Sequence, residues 1–177
     1  SQNTDMAPNE NYSRELLELF TIGKGDVVGI GDYTNYTEDD VLQMAKVLTG
    51  WRVRGLTHEE ALESYFSNFK HSKDSKTLSP RFNNHVLSEN GENEYKDLID
   101  RIFQEDECSK FIVRQLYIWF INSDITAEIE TNIIEPLAEI TRDNNYEIVP
   151  ALKKLFSSEH FFETVFCMIK SPVDLIL

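Results

Sequence analysis

Apolar residues recur along this chain at the three- and four-residue spacing of helices, and nowhere do they alternate over a convincing strand length. The clearest case runs from Asn9 to Gly23. At about 100° per residue, Tyr12, Leu16, Leu17, Leu19 and Phe20 share one side of a helix, while Glu10, Asn11, Arg14, Glu15 and Glu18 take the other. Asn9 or Asn11 suits the N-cap, and Gly23 stands where a left-handed residue closes a helix. The stretch predicts a core wall with one charged face.

A glycine-containing loop over 24–36 follows. Thr37, with acids at Glu38, Asp39 and Asp40, predicts a capped start for a helix carrying Val41, Met44, Ala45 and Leu48, ended by Gly50 and followed by Trp51. A second capping pattern at Thr57 leads into Leu62, Tyr65, Phe66 and Phe69, which predicts a short helix. Periodicity then lapses over 70–89, a long ordered loop or flap. Helical spacing returns with Tyr95, Leu98, Ile99, Ile102 and Phe103. Next, capped by Asp106, comes a segment apolar nearly all round (Phe111, Ile112, Leu116, Tyr117, Trp119, Phe120), suited to the centre of a bundle. Thr126 starts a helix through Ile129, Ile133, Ile134, Leu137 and Ile140, with a kink or break expected at Pro136. Asn144 and Asn145 make a turn, and Pro150 sits in the first turn of a helix bearing Ala151, Leu152, Leu155 and Phe156. Ser158 caps a short segment through Phe161, Phe162, Val165 and Phe166. Ser171, Pro172 and Asp174 look like one more helix start, with no room to finish before Leu177. The predicted fold is all-α: a single domain over 1–177, an irregular multi-helix bundle with a long central loop.

Composition narrows the function classes. The 177 residues are 41% apolar and 27% charged, which suits one globular domain. Lys+Arg of 17 against Asp+Glu of 31 gives a net charge of −14, which repels nucleic-acid phosphates and anionic membranes. The longest apolar run, Leu116 to Ile121, is far too short to span a membrane. Cys108 and Cys167 set no disulfide framework; each lies in an apolar segment and reads as a small buried hydrophobe, with one bridge between them as the alternative that spacing does not decide.

Two groups of residues are candidates for chemistry. On the first helix, Glu10–Arg14 and Arg14–Glu18 are four apart, with Glu15 beside them. This face reads as a solvated ion-pair surface, as a docking face for a missing N-terminal part, or as an acid cluster oriented by Arg14 that lines a cleft. In the central loop, His71 and Asp74 offer an acid–base couple or two ligands of a metal, with Lys73, Lys76 and His85 nearby. Other patterns fail in context. His58-Glu59-Glu60-Ala61-Leu62 has Leu where a zinc-protease helix needs its second His. The glycines at 23, 25, 29 and 31 follow a helix rather than a strand, so they make no dinucleotide or phosphate fingerprint. Asp26, Asp32 and Asn35 lack calcium-loop spacing. No cofactor is implied.

Several of these stretches together resemble the family called domain of unknown function 1800. They are Asn9 to Gly23, Tyr36 to Val41, Leu48-Thr49-Gly50-Trp51, His71 with Lys76, Arg114-Gln115-Leu116-Tyr117, Ser157 to Phe162, and Lys170-Ser171-Pro172-Val173. Two positions depart from the usual pattern: Ser72 rather than Asp follows His71, and Gln115 rather than Lys precedes Leu116-Tyr117. The resemblance implies the C-terminal portion of a longer, exported bacterial protein, extracytoplasmic in location, often encoded near a sulfatase-like partner family. It brings no activity. The resulting expectation is an assembly or interaction module without independent catalysis, whose partners are the remainder of its own parent chain and a sulfatase-like protein. The alternative is a hydrolase-type enzyme, metal-assisted or not, in which Glu10, Glu15, His71 and Asp74 meet in a cleft completed by the missing part.

Overall fold

The computed structural model describes residues 3–55 and 62–163. The chain divides into two compact units, 1–105 and 106–177. The Thr57 capping pattern, Val165, Phe166, Cys167 and the Ser171 helix start lie outside the described residues.

In the first unit, helix α1 (Glu10–Glu15) runs directly into a π-helical segment, Leu16–Thr21. The Asn9 side chain caps it, accepting from Tyr12 N at 3.2 Å. Gly23 closes it at φ +66°, its N–H donating to Leu17 O at 2.9 Å. Widening the turn to i→i+5 shifts each later residue around the axis. Leu17, Thr21 and Ile22 are therefore buried, while Leu19 and Phe20, expected on the core side, are 61% and 67% exposed.

The hairpin β1 (Val27–Gly29) and β2 (Asp32–Tyr33) follows, then α2 (Glu38–Val47). A complete capping box between Thr37 and Asp40 starts α2, and its face of Val41, Met44 and Ala45 is fully buried. The all-α expectation fails here and immediately after. Strand β3 (Trp51–Arg54) pairs antiparallel with β4 (Glu63–Phe66), in the register Trp51↔Phe66 to Arg54↔Glu63. The helix expected through Leu62, Tyr65, Phe66 and Phe69 is instead a strand over Glu63–Phe66, with Phe69 in a turn. Helix takes 54% and strand 12%, with two small antiparallel sheets: a mixed α/β fold. The strands are too short to show alternation, and cross-strand pairs hold them. Trp51 meets Phe66 edge-on at 5.5 Å, and Arg54 pairs with Glu63 at 2.6 Å.

The loop over 70–89 is ordered by burial of Leu78, Phe82 and Leu87 and by a 3-10 turn, Pro80–Phe82. Asp40, fully buried on α2, anchors that turn by accepting from Ser79 N and Ser79 Oγ, both at 2.7 Å. Helix α3 (Glu94–Phe103) closes the unit, burying Leu98 and Ile102.

In the second unit, α4 (Asp106–Phe120) buries Cys108, Val113 and Tyr117. Trp119 is 71% exposed, so this helix is not enclosed on all sides as its composition suggested. Helix α5 (Ala127–Ile129) passes through a π segment, Glu130–Ile134, into α6 (Glu135–Asp143). The interruption expected at Pro136 takes this form: the wide turn precedes the proline, which then sits in the first turn of α6, where its missing N–H costs little. Helices α7 (Ile148–Phe156) and α8 (Glu159–Glu163) follow. Val113, Tyr117, Ile121, Ile134, Leu137, Ala138, Ala151 and Leu155 form the core of this unit. Among the described residues, no helix is long and apolar enough to cross a membrane.

Candidate functional site

The residues singled out in the sequence do not gather in one place. Glu10 is exposed. Glu15 is exposed and accepts from Asn11 Nδ2 at 2.8 Å. Arg14 reaches away from its own helix to Glu38 on α2, donating Nη1 and Nη2 to the two carboxylate oxygens at 2.6 Å each. Tyr33 OH also donates to Glu38, at 3.0 Å. The hydrogen bonds from Arg14 hold the Glu38 carboxyl below its ordinary range. Tyr36 is fully buried and donates its hydroxyl to Glu18; burial first, then that carboxylate, pushes its ionisation up. This group ties α1 to α2. Asp74 is exposed and pairs with Lys46 at 3.1 Å.

His71 goes elsewhere. It is 4% exposed and packs its ring on Phe66 at 5.1 Å. Nδ1 lies 2.9 Å from Thr49 O, an acceptor only, so this nitrogen carries a proton. Nε2 lies 3.1 Å from Glu94 Oε1, and Lys76 Nζ lies 3.0 Å from Glu94 Oε2. Both are close polar contacts rather than aligned hydrogen bonds. Lys76 and Glu94 are 1% and 2% exposed, so the triad is closed to water. Lys76 also donates to Ser72 O at 2.9 Å, and Ser72 N donates to Thr49 Oγ1 at 2.8 Å. Gly50 passes beside it at φ +89°, where a Cβ would stand 3.0 Å from His71 Cβ and 2.9 Å from Phe66 Cε2. Lys76 is thus joined to His71 through Glu94, a residue that nothing in the sequence marks out.

The unit also holds an open cleft of about 390 Å³ lined by Asn3, Asn9, Tyr12, Leu16, Leu48, Trp51, Tyr95 and Ile99. Tyr12 and Leu16 are four apart on one helix face, and so are Tyr95 and Ile99; the sequence pattern marked these as core positions. They are instead the two sides of an opening. Asn3 bridges its ends, donating Nδ2 to Leu48 O and accepting from Asn9 N, both at 2.8 Å. Trp51 meets Tyr95 edge-to-face at 5.8 Å and 79°. The triad lies against the backbone of both walls: Thr49 and Gly50 join Leu48 to Trp51, and Glu94 precedes Tyr95. No charged side chain among the described residues lines the cleft. Among the described residues, no three His, Cys, Asp or Glu side chains gather to hold a metal ion.

The family model described as "Protein of unknown function (DUF1800)" matches residues 1–177. The chain belongs to this family. No curated protein and no solved structure matches it. Within this DUF1800 chain, the stretches that carry the family resemblance supply two members of the triad, His71 and Lys76, and much of the cleft; Glu94, Tyr95 and Ile99 lie outside them. Asn9 to Gly23 brings Asn9, Tyr12 and Leu16; Leu48 to Trp51 brings two more walls; His71 and Lys76 brace them.

Proposed function

We propose that this DUF1800 chain is a binding and assembly module of an exported bacterial protein, without catalysis of its own. One observation carries the reading. The cleft is walled by aromatic and aliphatic side chains and two amides, while His71, Lys76 and Glu94 beside it are spent on one another in a dry triad. Acid–base and nucleophilic chemistry need an activated titratable group at the substrate; among the described residues this lining offers two tyrosine hydroxyls and no carboxylate, imidazole, amine or thiol, and otherwise surfaces for holding a ligand. The rest of the parent chain and a sulfatase-like protein are the partners the family context suggests, and an extracytoplasmic location goes with them.

The test is a turnover assay of the full chain against ester, phosphate, sulfate and glycoside substrates, beside thermal melts with neutral ligands. The expected result is a ligand-dependent rise in melting temperature and no turnover above buffer. Hydrolysis that Glu94→Gln or His71→Ala abolishes would overturn the reading.

A further inference from the structure

The polar tips around the cleft narrow what it holds. Tyr12 and Tyr95 bring hydroxyls, Trp51 an indole N–H and Asn9 a side-chain amide N–H₂; among the described residues no protein group takes a hydrogen bond from any of them. Tyr12 is 54% exposed, its ring open to a ligand. Trp51 is held between the rings of Phe66 and Tyr95 in edge contacts of 63° and 79°, so its plane is fixed before anything binds. Leu16, Leu48 and Ile99 add aliphatic lining. Aromatic rings, aliphatic side chains and neutral donors lining one cleft suit a ligand with flat apolar faces and polar edges.

Among the described residues the lining itself carries no charged side chain, Lys96 Nζ standing 5.9 Å from the Tyr95 ring centroid, and an anion would meet a chain of net charge −14. We propose that the cleft is a saccharide site that takes the face of a neutral pyranose ring, with one ring edge hydrogen-bonded to the Tyr12, Tyr95, Trp51 and Asn9 tips. This rests on the binding reading and names its ligand class. A proline-rich peptide also docks on aromatic grooves, but it needs a row of pockets along an extended chain. Here Trp51 and Tyr95 stand nearly perpendicular in one corner, which suits a single ring.

Trp119→Phe leaves Trp51 as the sole tryptophan of the full chain, so its emission reports the cleft. The titrants are cellobiose, diacetylchitobiose, glucuronate and a proline decapeptide. A saturable change in Trp51 emission with a neutral disaccharide is expected, with glucuronate weaker. Tyr12→Ala, at an exposed position, should weaken binding about tenfold, and Tyr12→Phe, which keeps the ring, by less. A change with the peptide alone overturns the saccharide class and leaves the binding reading standing. No change with either disaccharide overturns it too, as does sugar binding that Tyr12→Ala leaves untouched. The turnover assay judges the binding reading separately.

Discussion

Glu94 on α3 and Lys76 from the central loop face each other at 3.0 Å with almost no access to water. A carboxylate in that position is held by its partners, and removing one strands the others. Lys76→Met or Glu94→Ala should each cost about 3–5 kcal/mol in urea unfolding. The double variant should cost clearly less than the two losses added, because the residues share one network. Additive losses would show that the contact contributes little.

Arg14 and Glu38 form a bidentate pair, but their side chains stay 30% and 37% exposed. Screening by water sets Arg14→Ala at about 1 kcal/mol. The pair also has an acid limb. Because Arg14 lowers the carboxyl of Glu38 from its ordinary 4.5, the stability it brings is present above that value and fades as the pH falls through the lower, folded-state one. Melting curves of the wild type and Arg14→Ala should therefore converge below the ordinary carboxylate range. A gap that persists in acid would place the effect in packing.

Gly50→Ala tests the close approach at the triad. The new methyl would meet the Ser67 carbonyl at 3.0 Å and Phe66 at 2.9 Å, at a φ of +89° that L-residues rarely adopt. A loss of about 2 kcal/mol or more is expected by chemical denaturation.

Cys108 is buried, and desolvation pushes its thiol up to about 11. In a Cys167→Ser background, the native chain at pH 8 should react with a thiol reagent only as fast as it unfolds. Rapid native labelling would show that the thiol reaches solvent.

Much of the fold was legible where the signal is local. The Thr37–Asp40 capping box, the buried stripe of α2 and the proline in the first turn of α7 depend on neighbours within a few residues. What was missed depends on residues far apart. Strands β3 and β4 are four residues each and exist through pairings such as Trp51 with Phe66. The π turn from Leu16 to Thr21 rotates Leu19 and Phe20 outward, against a regular helical count. His71 was visible as a titratable residue, but its partner Glu94 belongs to a helix that only the fold brings near. Periodicity placed Tyr12 with Leu16 and Tyr95 with Ile99 on common faces; it does not say whether another element covers a face, and here a cleft opens instead.

The most direct test of an uncharged binding cleft beside a sealed ionic triad is amide-resolved NMR of the full chain titrated with diacetylchitobiose. The account predicts that shifts concentrate at Asn9 to Leu16, Leu48 to Trp51, and Tyr95 to Ile99, where the walls stand. Shifts centred instead on β1, β2 and the start of α2, or spread over α4 to α8, would contradict it.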